Sequence, residues 1–110
     1  MAARMAASFP RSAMQFIADF SREQAGRNFP WVVAQASYHS PRDPLAEPLR
    51  EAQKSLWESG LALEGPDTDQ LTGDNRQNEG KGVHFSAQGL QAHGNLWATK
   101  VAAYLDRVLE

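Results

Sequence analysis

The chain has 110 residues, a formal net charge of −2 and no cysteine. This length allows one small domain, and the absence of a basic block argues against nucleic-acid binding. Without cysteine the chain has no disulfide, no thiolate metal site and no cysteine nucleophile, and no apolar run is long enough to span a bilayer.

The first predicted element is a helix over residues 12–25. Ser12 followed by Gln15 has the form of a capping box at its start, and Gly26 is a C-terminal stop. Residues 1–11 are predicted to be a ragged N-terminal segment, and they lack the apolar region of a signal peptide. The apolar residues that follow helical spacing on one face are Ala13, Phe16, Ile17 and Phe20.

Two short strands enclose a second helix in the next part of the chain. Residues 31–37 form a mostly apolar, partly β-branched run that is typical of a strand in a parallel sheet. Residues 48–59 keep helical spacing, with Pro48 at the first helical position. Residues 61–64 form a second strand candidate, which is predicted to end at Gly65-Pro66.

A polar loop and a long helix complete the chain. Residues 67–82 are rich in Asn, Asp and Gly and predict a long surface loop, in which Asp67 and Asp69 shape a turn. Ser86 is the predicted cap of a helix over residues 87–109. The predicted core-facing stripe of this helix is Leu90, Gly94, Trp97, Val101, Leu105 and Val108.

The order helix, strand, helix, strand, loop, helix predicts an α/β fold with a short parallel sheet flanked by helices. Two strands that are apolar on both faces leave two open sheet edges and too little area to cover three helices. We therefore expect either further strands from outside this chain or a partner that covers the edges.

His84 is the main candidate catalytic residue. It lies at a loop-to-helix junction, where an imidazole can face a cleft and act as a general base. A lone histidine in this position is more often an exposed loop residue, and the chain has no Gly-x-Ser-x-Gly element to supply a nucleophile. Ser37 follows a strand outside any such motif, and His93 beside the apolar stripe is predicted to be structural. The histidines lack metal-ligand spacing, so we expect no metal and no cofactor.

Three stretches resemble the C-terminal part of the sialate O-acetylesterase-like carbohydrate esterases of the SGNH hydrolase superfamily. They are residues 30–38, residues 64–69, and residues 82–98, which include Gly-Val-His-Phe-Ser around His84. The matches occur in the same order and cover residues 12–109. The resemblance implies that residues 12–110 are a partial domain, the C-terminal half of a three-layer SGNH or flavodoxin-like fold. It also implies acetyl-ester hydrolysis on an acetylated carbohydrate, with His84 as general base for a serine.

The chain departs from the family pattern in two respects. The serine nucleophile element and the oxyanion-hole blocks have no match. The aspartate that often lies three residues before the histidine is replaced by Lys81, which cannot accept an imidazole hydrogen bond. Glu79 or Asp74 can substitute, and Glu79 is the nearer.

We therefore expect an incomplete and inactive esterase as this chain alone, with a missing N-terminal half or self-association through the sheet edges completing the fold. We expect neither a nucleic-acid nor a membrane partner, since the chain has no basic block and no apolar run long enough to span a bilayer. The alternative is a non-catalytic interaction module that binds another polypeptide through these edges.

Overall fold

The computed structural model describes the backbone of residues 2–109 and the side chains of residues 12–109. This part of the chain contains three α-helices and one two-stranded parallel sheet, which confirms the mixed α/β class. The elements in chain order are α1 (Ala2–Ala25), β1 (Val32–Gln35), α2 (Glu47–Glu58), β2 (Leu63–Asp67) and α3 (Ala87–Val108).

Local sequence signals placed several helix ends correctly. α2 and α3 match their predicted ranges to within one residue at each end. The Gly89 N–H donates to the Ser86 hydroxyl across 3.1 Å, which confirms the predicted cap of α3. α1 ends where Gly26 adopts a φ of +71°, a conformation that favours glycine, as its role as a stop requires.

The predicted start of α1 at residue 12 is wrong, because the helix begins at Ala2. Residues 2–11, expected to be ragged, are helical, while Met1 lies outside the described residues. This segment is rich in alanine, the strongest helix former, and it continues the helix despite the N–H that Pro10 lacks. Ser12 therefore lies inside the helix and does not begin a capping box.

The second strand is longer than predicted, because β2 continues through Gly65-Pro66 to Asp67. Pro66 is less than 2% exposed. In a two-stranded sheet each strand has an open edge, where a proline without an N–H is tolerated. The glycine–proline pair that predicted a turn is therefore part of the strand.

The polar loop over residues 67–82 is more ordered than its composition predicts. It contains two 3₁₀ turns, Thr68–Gln70 and Gly73–Asn75. Arg76 then forms an antiparallel bridge with Phe85. Thr68, Leu71 and Arg76 are buried, so the expected surface loop includes interior residues.

Contacts divide the chain into two compact units, of which the first contains residues 2–33 and 47–64. Within this unit α1 packs against α2. The Trp57 indole N–H donates to the Val33 carbonyl across 2.7 Å and links α2 to β1. The buried centre of this unit consists of Met14, Leu56 and Ala62, with Ala18, Trp31, Val33 and Leu61 packed around it.

The apolar face of α1 is largely uncovered by the described residues. Phe16 is 70% exposed, Phe20 54% and Ile17 42%. Instead, Met14 and Ala18, one helical turn apart, turn towards the centre of the first unit. Helical spacing thus identified the residues that share the apolar face of α1. The face that packs against the rest of the first unit is instead the one with Met14 and Ala18.

The second unit contains residues 34–46 and 65–109. There α3 packs against the second 3₁₀ turn, and Gly89 is the helix residue that is buried. The predicted core-facing stripe of α3 is wrong for this part of the chain, since no described residue covers most of it. Its exposed members are Leu90, Gly94, Val101, Leu105 and Val108.

No helix in residues 2–109 combines the length and apolarity needed to cross a bilayer.

Gly89 is where α3 approaches the second 3₁₀ turn most closely. A Cβ at this position would lie 1.9 Å from the Asn75 carbonyl oxygen, so a side chain must push the helix away. We expect Gly89→Ala to lower the free energy of unfolding by about 3 kcal/mol or more, measured by urea denaturation.

Gly94 in the same helix provides the matched control, because a Cβ there meets nothing within 4 Å. We expect Gly94→Ala to raise the free energy of unfolding by about 0.5–1 kcal/mol, since alanine is the better helix former. Equal effects of the two substitutions would contradict the described packing of α3.

Candidate functional site

His84 lies on a segment whose backbone is fixed on both sides. The Gln77 N–H donates to the His84 carbonyl across 2.9 Å, and the next residue, Phe85, is bridged to Arg76. The His84 side chain is exposed, and within residues 12–109 its imidazole has no hydrogen-bond partner. The structure therefore holds the main chain at His84 and leaves its ring accessible.

Ser86 connects this segment to α3 and to the second 3₁₀ turn. Its N–H donates to the Asn75 carbonyl across 2.9 Å, and its hydroxyl donates to the Asp74 carbonyl across 2.5 Å. The same hydroxyl accepts the Gly89 N–H as the helix cap. His84, two residues earlier, is thus tied to the start of a long helix.

Arg76 is the central side chain of this loop and is only 5% exposed. Its Nε donates to the Leu71 carbonyl across 2.7 Å, and its Nη2 donates to the Thr68 carbonyl across 3.1 Å. Its Nη1 donates to the Val83 carbonyl across 2.7 Å. One side chain therefore satisfies three main-chain acceptors from separate parts of the loop.

The two faces of the Arg76 guanidinium are covered by aromatic rings. Its central carbon lies 3.9 Å from the centre of the Tyr38 ring and 4.2 Å from that of Phe85. Burial lowers the pKa of Arg76, because desolvation disfavours the charged form, while Tyr38 and Asp69 act in the opposite direction. The cation–π contacts and the carbonyl acceptors compensate for this desolvation.

The aromatic stack continues from Phe85 into α3. The rings of Phe85 and His93 are stacked with centres 4.6 Å apart. The Trp97 indole N–H donates to Nε2 of His93 across 3.0 Å, so this nitrogen is the acceptor in the contact. His93 is half-buried in these contacts, which agrees with the structural role predicted for it.

Asp69 organises the chain that follows β1. Its carboxylate is buried, with the residue 2% exposed, and it accepts the N–H groups of Ser37 and Tyr38 across 2.6 and 2.8 Å. The Ser37 hydroxyl donates to the same carboxylate across 2.6 Å and accepts the Ala46 N–H across 3.0 Å. The Asp69 N–H donates to the Asp67 side chain, so both acids shape the turn as predicted. The hydroxyl of Ser37 is thereby used in a structural network.

A cavity of about 400 Å³ opens within the second unit. Its walls are mainly apolar and come from β1 and the chain after it, the ordered loop and α3. The lining residues are Ala34, Ala36, Ser37, Tyr38, Thr68, Asp69, Arg76, Val83, Phe85, His93 and Trp97. His84 follows a lining residue in the chain but does not itself line this cavity. Among residues 2–109, no group of three or more His, Asp or Glu side chains could hold a metal ion.

The structure does not bring the predicted acid and base together. Glu79 has an exposed side chain and a φ of +59°, directly after Asn78 with a φ of +55°. Its side chain lines a second cavity together with Lys81. Within the described residues, neither Glu79 nor Asp74 forms a hydrogen bond with the His84 imidazole. Glu79 as the acid partner of His84 stays a prediction.

Sequence reasoning missed the part played by Arg76. In the sequence it is one cation in a polar loop, and nothing adjacent marks it as buried. Its partners lie at Tyr38, Thr68 and Val83, which the fold brings together. No signal next to Arg76 in the sequence could have identified it, because Tyr38 follows β1 and is separated from the loop by α2 and β2.

Comparisons of the chain with protein-family models, with curated protein sequences and with solved structures give no match. The resemblance carried by residues 30–38, 64–69 and 82–98 is therefore the basis of the functional proposal that follows.

Replacement of Asp69 by asparagine tests its structural role. The amide keeps the shape of the side chain, but it removes the charge and one of the two acceptor oxygens. We expect Asp69→Asn to lower the free energy of unfolding by about 2 kcal/mol or more. Amide hydrogen exchange at Ser37 and Tyr38 is expected to accelerate.

The control for this substitution is Asp74→Asn, since Asp74 is exposed. We expect a change in the free energy of unfolding within about 0.5 kcal/mol. A similarly small effect for Asp69→Asn would show that the buried carboxylate does not hold the chain after β1.

Proposed function

We propose that this chain supplies the general base of a serine-type carbohydrate acetylesterase, with His84 as that base. The serine nucleophile and the oxyanion hole belong to residues outside the 110 of this chain. The proposal rests on the sequence resemblance around His84, and the structural observation that supports it is the exposed His84 imidazole on a main-chain segment fixed by Gln77 and Arg76. A catalytic base needs both features, because its ring must reach the substrate from a defined position.

His84 would take the proton from the serine hydroxyl as the serine oxygen attacks the acetyl carbonyl carbon. It would return this proton to the sugar oxygen when the acetyl–sugar bond breaks, and a water molecule would then release acetate from the acyl-serine. Glu79 is the proposed acid that orients the imidazole. A movement of the loop after Asn78 would have to bring the two side chains together.

The incomplete sheet supports a nucleophile from outside this chain. Two strands form a sheet of marginal stability, and among the described residues each strand has a neighbouring strand on one side alone. In a three-layer SGNH-like fold, further strands would pair with such an edge and further helices would cover apolar faces. Phe16 in α1 and Leu90 in α3 are exposed, and they lie on apolar faces that such helices could cover.

A second candidate function is an interaction module without catalysis. An open strand edge can bind an extended segment of another polypeptide by main-chain hydrogen bonds, and this binding needs no histidine. A described sheet of two strands favours this candidate as much as it favours the esterase. The dependence of any activity on His84 separates the two.

The test is acetate release by the complete product of the reading frame that contains this chain. We expect hydrolysis of an O-acetylated monosaccharide, and we expect His84→Ala to lower kcat by about 10²–10⁴-fold, the usual contribution of a general base. This chain alone is expected to show little activity, since it lacks the oxyanion hole.

His39→Ala is the matched control, because His39 is also an exposed loop histidine. We expect this variant to retain the parent kcat. Equal rates for the parent and His84→Ala, or no acetate release by the complete product, would contradict the esterase proposal and leave the interaction module.

A further inference from the structure

We infer that Arg76 is a positioning residue that holds His84 in place for catalysis by fixing the residues on both sides of it. This inference rests on the proposed function, because it assigns a role to Arg76 in the action of His84. Arg76 does not touch the substrate or the reacting atoms in this account, and it acts through the main chain at Val83 and Phe85.

The contacts of Arg76 enclose His84 from both directions along the chain. Nη1 of Arg76 donates to the carbonyl of Val83, the residue before His84. The Phe85 ring, one residue after His84, lies over the guanidinium at 4.2 Å, and the Phe85 main chain is bridged to Arg76 itself. Neither neighbour of His84 can shift without breaking a contact with Arg76.

Arg76 is itself held by contacts with residues other than Val83 and Phe85. Nε and Nη2 donate to the carbonyls of Leu71 and Thr68, and the Tyr38 ring covers the second face. The hydroxyl of Thr68 in turn donates to the Gln35 carbonyl at the end of β1 across 2.6 Å. The segment that contains His84 is thereby linked, through Arg76 and Thr68, to the end of β1.

These contacts require arginine and not merely a positive charge. A guanidinium presents N–H donors in one plane and two flat faces at once, whereas an ammonium group is a point charge without faces. Lysine at this position could reach some of the carbonyls, but it could not fill the space between Tyr38 and Phe85. Arg76→Lys therefore keeps the positive charge but removes the planar set of N–H donors and the two flat faces.

The first test is steady-state acetate release by the complete reading-frame product. Displacement of a catalytic group by about 1 Å can cost about 10²-fold in rate. We expect Arg76→Lys to lower kcat by about tenfold or more, with a smaller change in KM, at a temperature where circular dichroism shows a folded protein.

Two control variants separate positioning from general stability. Arg107→Lys changes an exposed arginine near the end of α3, and we expect the parent kcat. Leu56→Ala creates a cavity in the first unit and lowers stability, but we expect the parent kcat for the folded fraction. If Leu56→Ala lowered kcat as much as Arg76→Lys, the loss would be one of stability and the inference would fail.

The second test is NMR of the 110-residue chain and does not depend on activity. We expect the Arg76 Nε–H to show an order parameter near that of rigid backbone, about 0.85, and the exposed Arg107 Nε–H to fall below about 0.6. In Arg76→Lys we expect exchange of the Gln77 amide, which donates to His84, to accelerate by about tenfold or more. An Arg76 side chain as mobile as Arg107 would overturn the inference even if Arg76→Lys fails to fold.

The outcomes distinguish this inference from the proposed function. If His84→Ala abolishes acetate release while Arg76→Lys retains the parent kcat, Arg76 is not a positioning residue and the proposed function stands. If the parent and His84→Ala behave alike, the proposed function fails and the catalytic role of Arg76 fails with it. In that case the NMR measurements show only whether Arg76 holds the loop.

Discussion

The ordered loop between β2 and α3 depends on the burial of one charged side chain. Residues 68–85 contribute little apolar surface, so hydrophobic burial alone cannot order them. Arg76 instead gives hydrogen bonds to three main-chain carbonyls and lies between two aromatic rings. Two of these carbonyls belong to the buried residues Thr68 and Leu71, so Arg76 satisfies main-chain acceptors in the interior, and the main chain around His84 is fixed.

Two features of the described residues bear on the proposed function. The sheet has only two strands among the described residues, and large apolar side chains such as Phe16 and Leu90 are exposed. The sequence has no nucleophile motif for the candidate base, and no carboxylate of residues 12–109 forms a hydrogen bond with the His84 imidazole. Both features are explained together if residues outside this chain complete an α/β esterase, which is why we favour that function over a base acting alone.

Sequence-based predictions were correct for structural features that depend on residues close together in the chain. Ser86 was identified as a cap because its hydroxyl acts on an amide three residues away. Pro66 was misread because an open sheet edge tolerates a proline that normally ends a strand. In α1, Met14 is buried and Phe16 is exposed because of contacts with residues distant in sequence. The burial of Arg76 depends on such contacts as well. Neither periodicity nor composition encodes such contacts.

We propose that His84 activates a serine that lies outside these 110 residues. The most direct measurement treats the complete reading-frame product with a fluorophosphonate and locates the modified residue by mass spectrometry, with His84→Ala as the comparison. We expect one modified serine outside residues 1–110 and much slower modification in His84→Ala. Modification of a serine within this chain, such as Ser37, or of no serine at all, would contradict it.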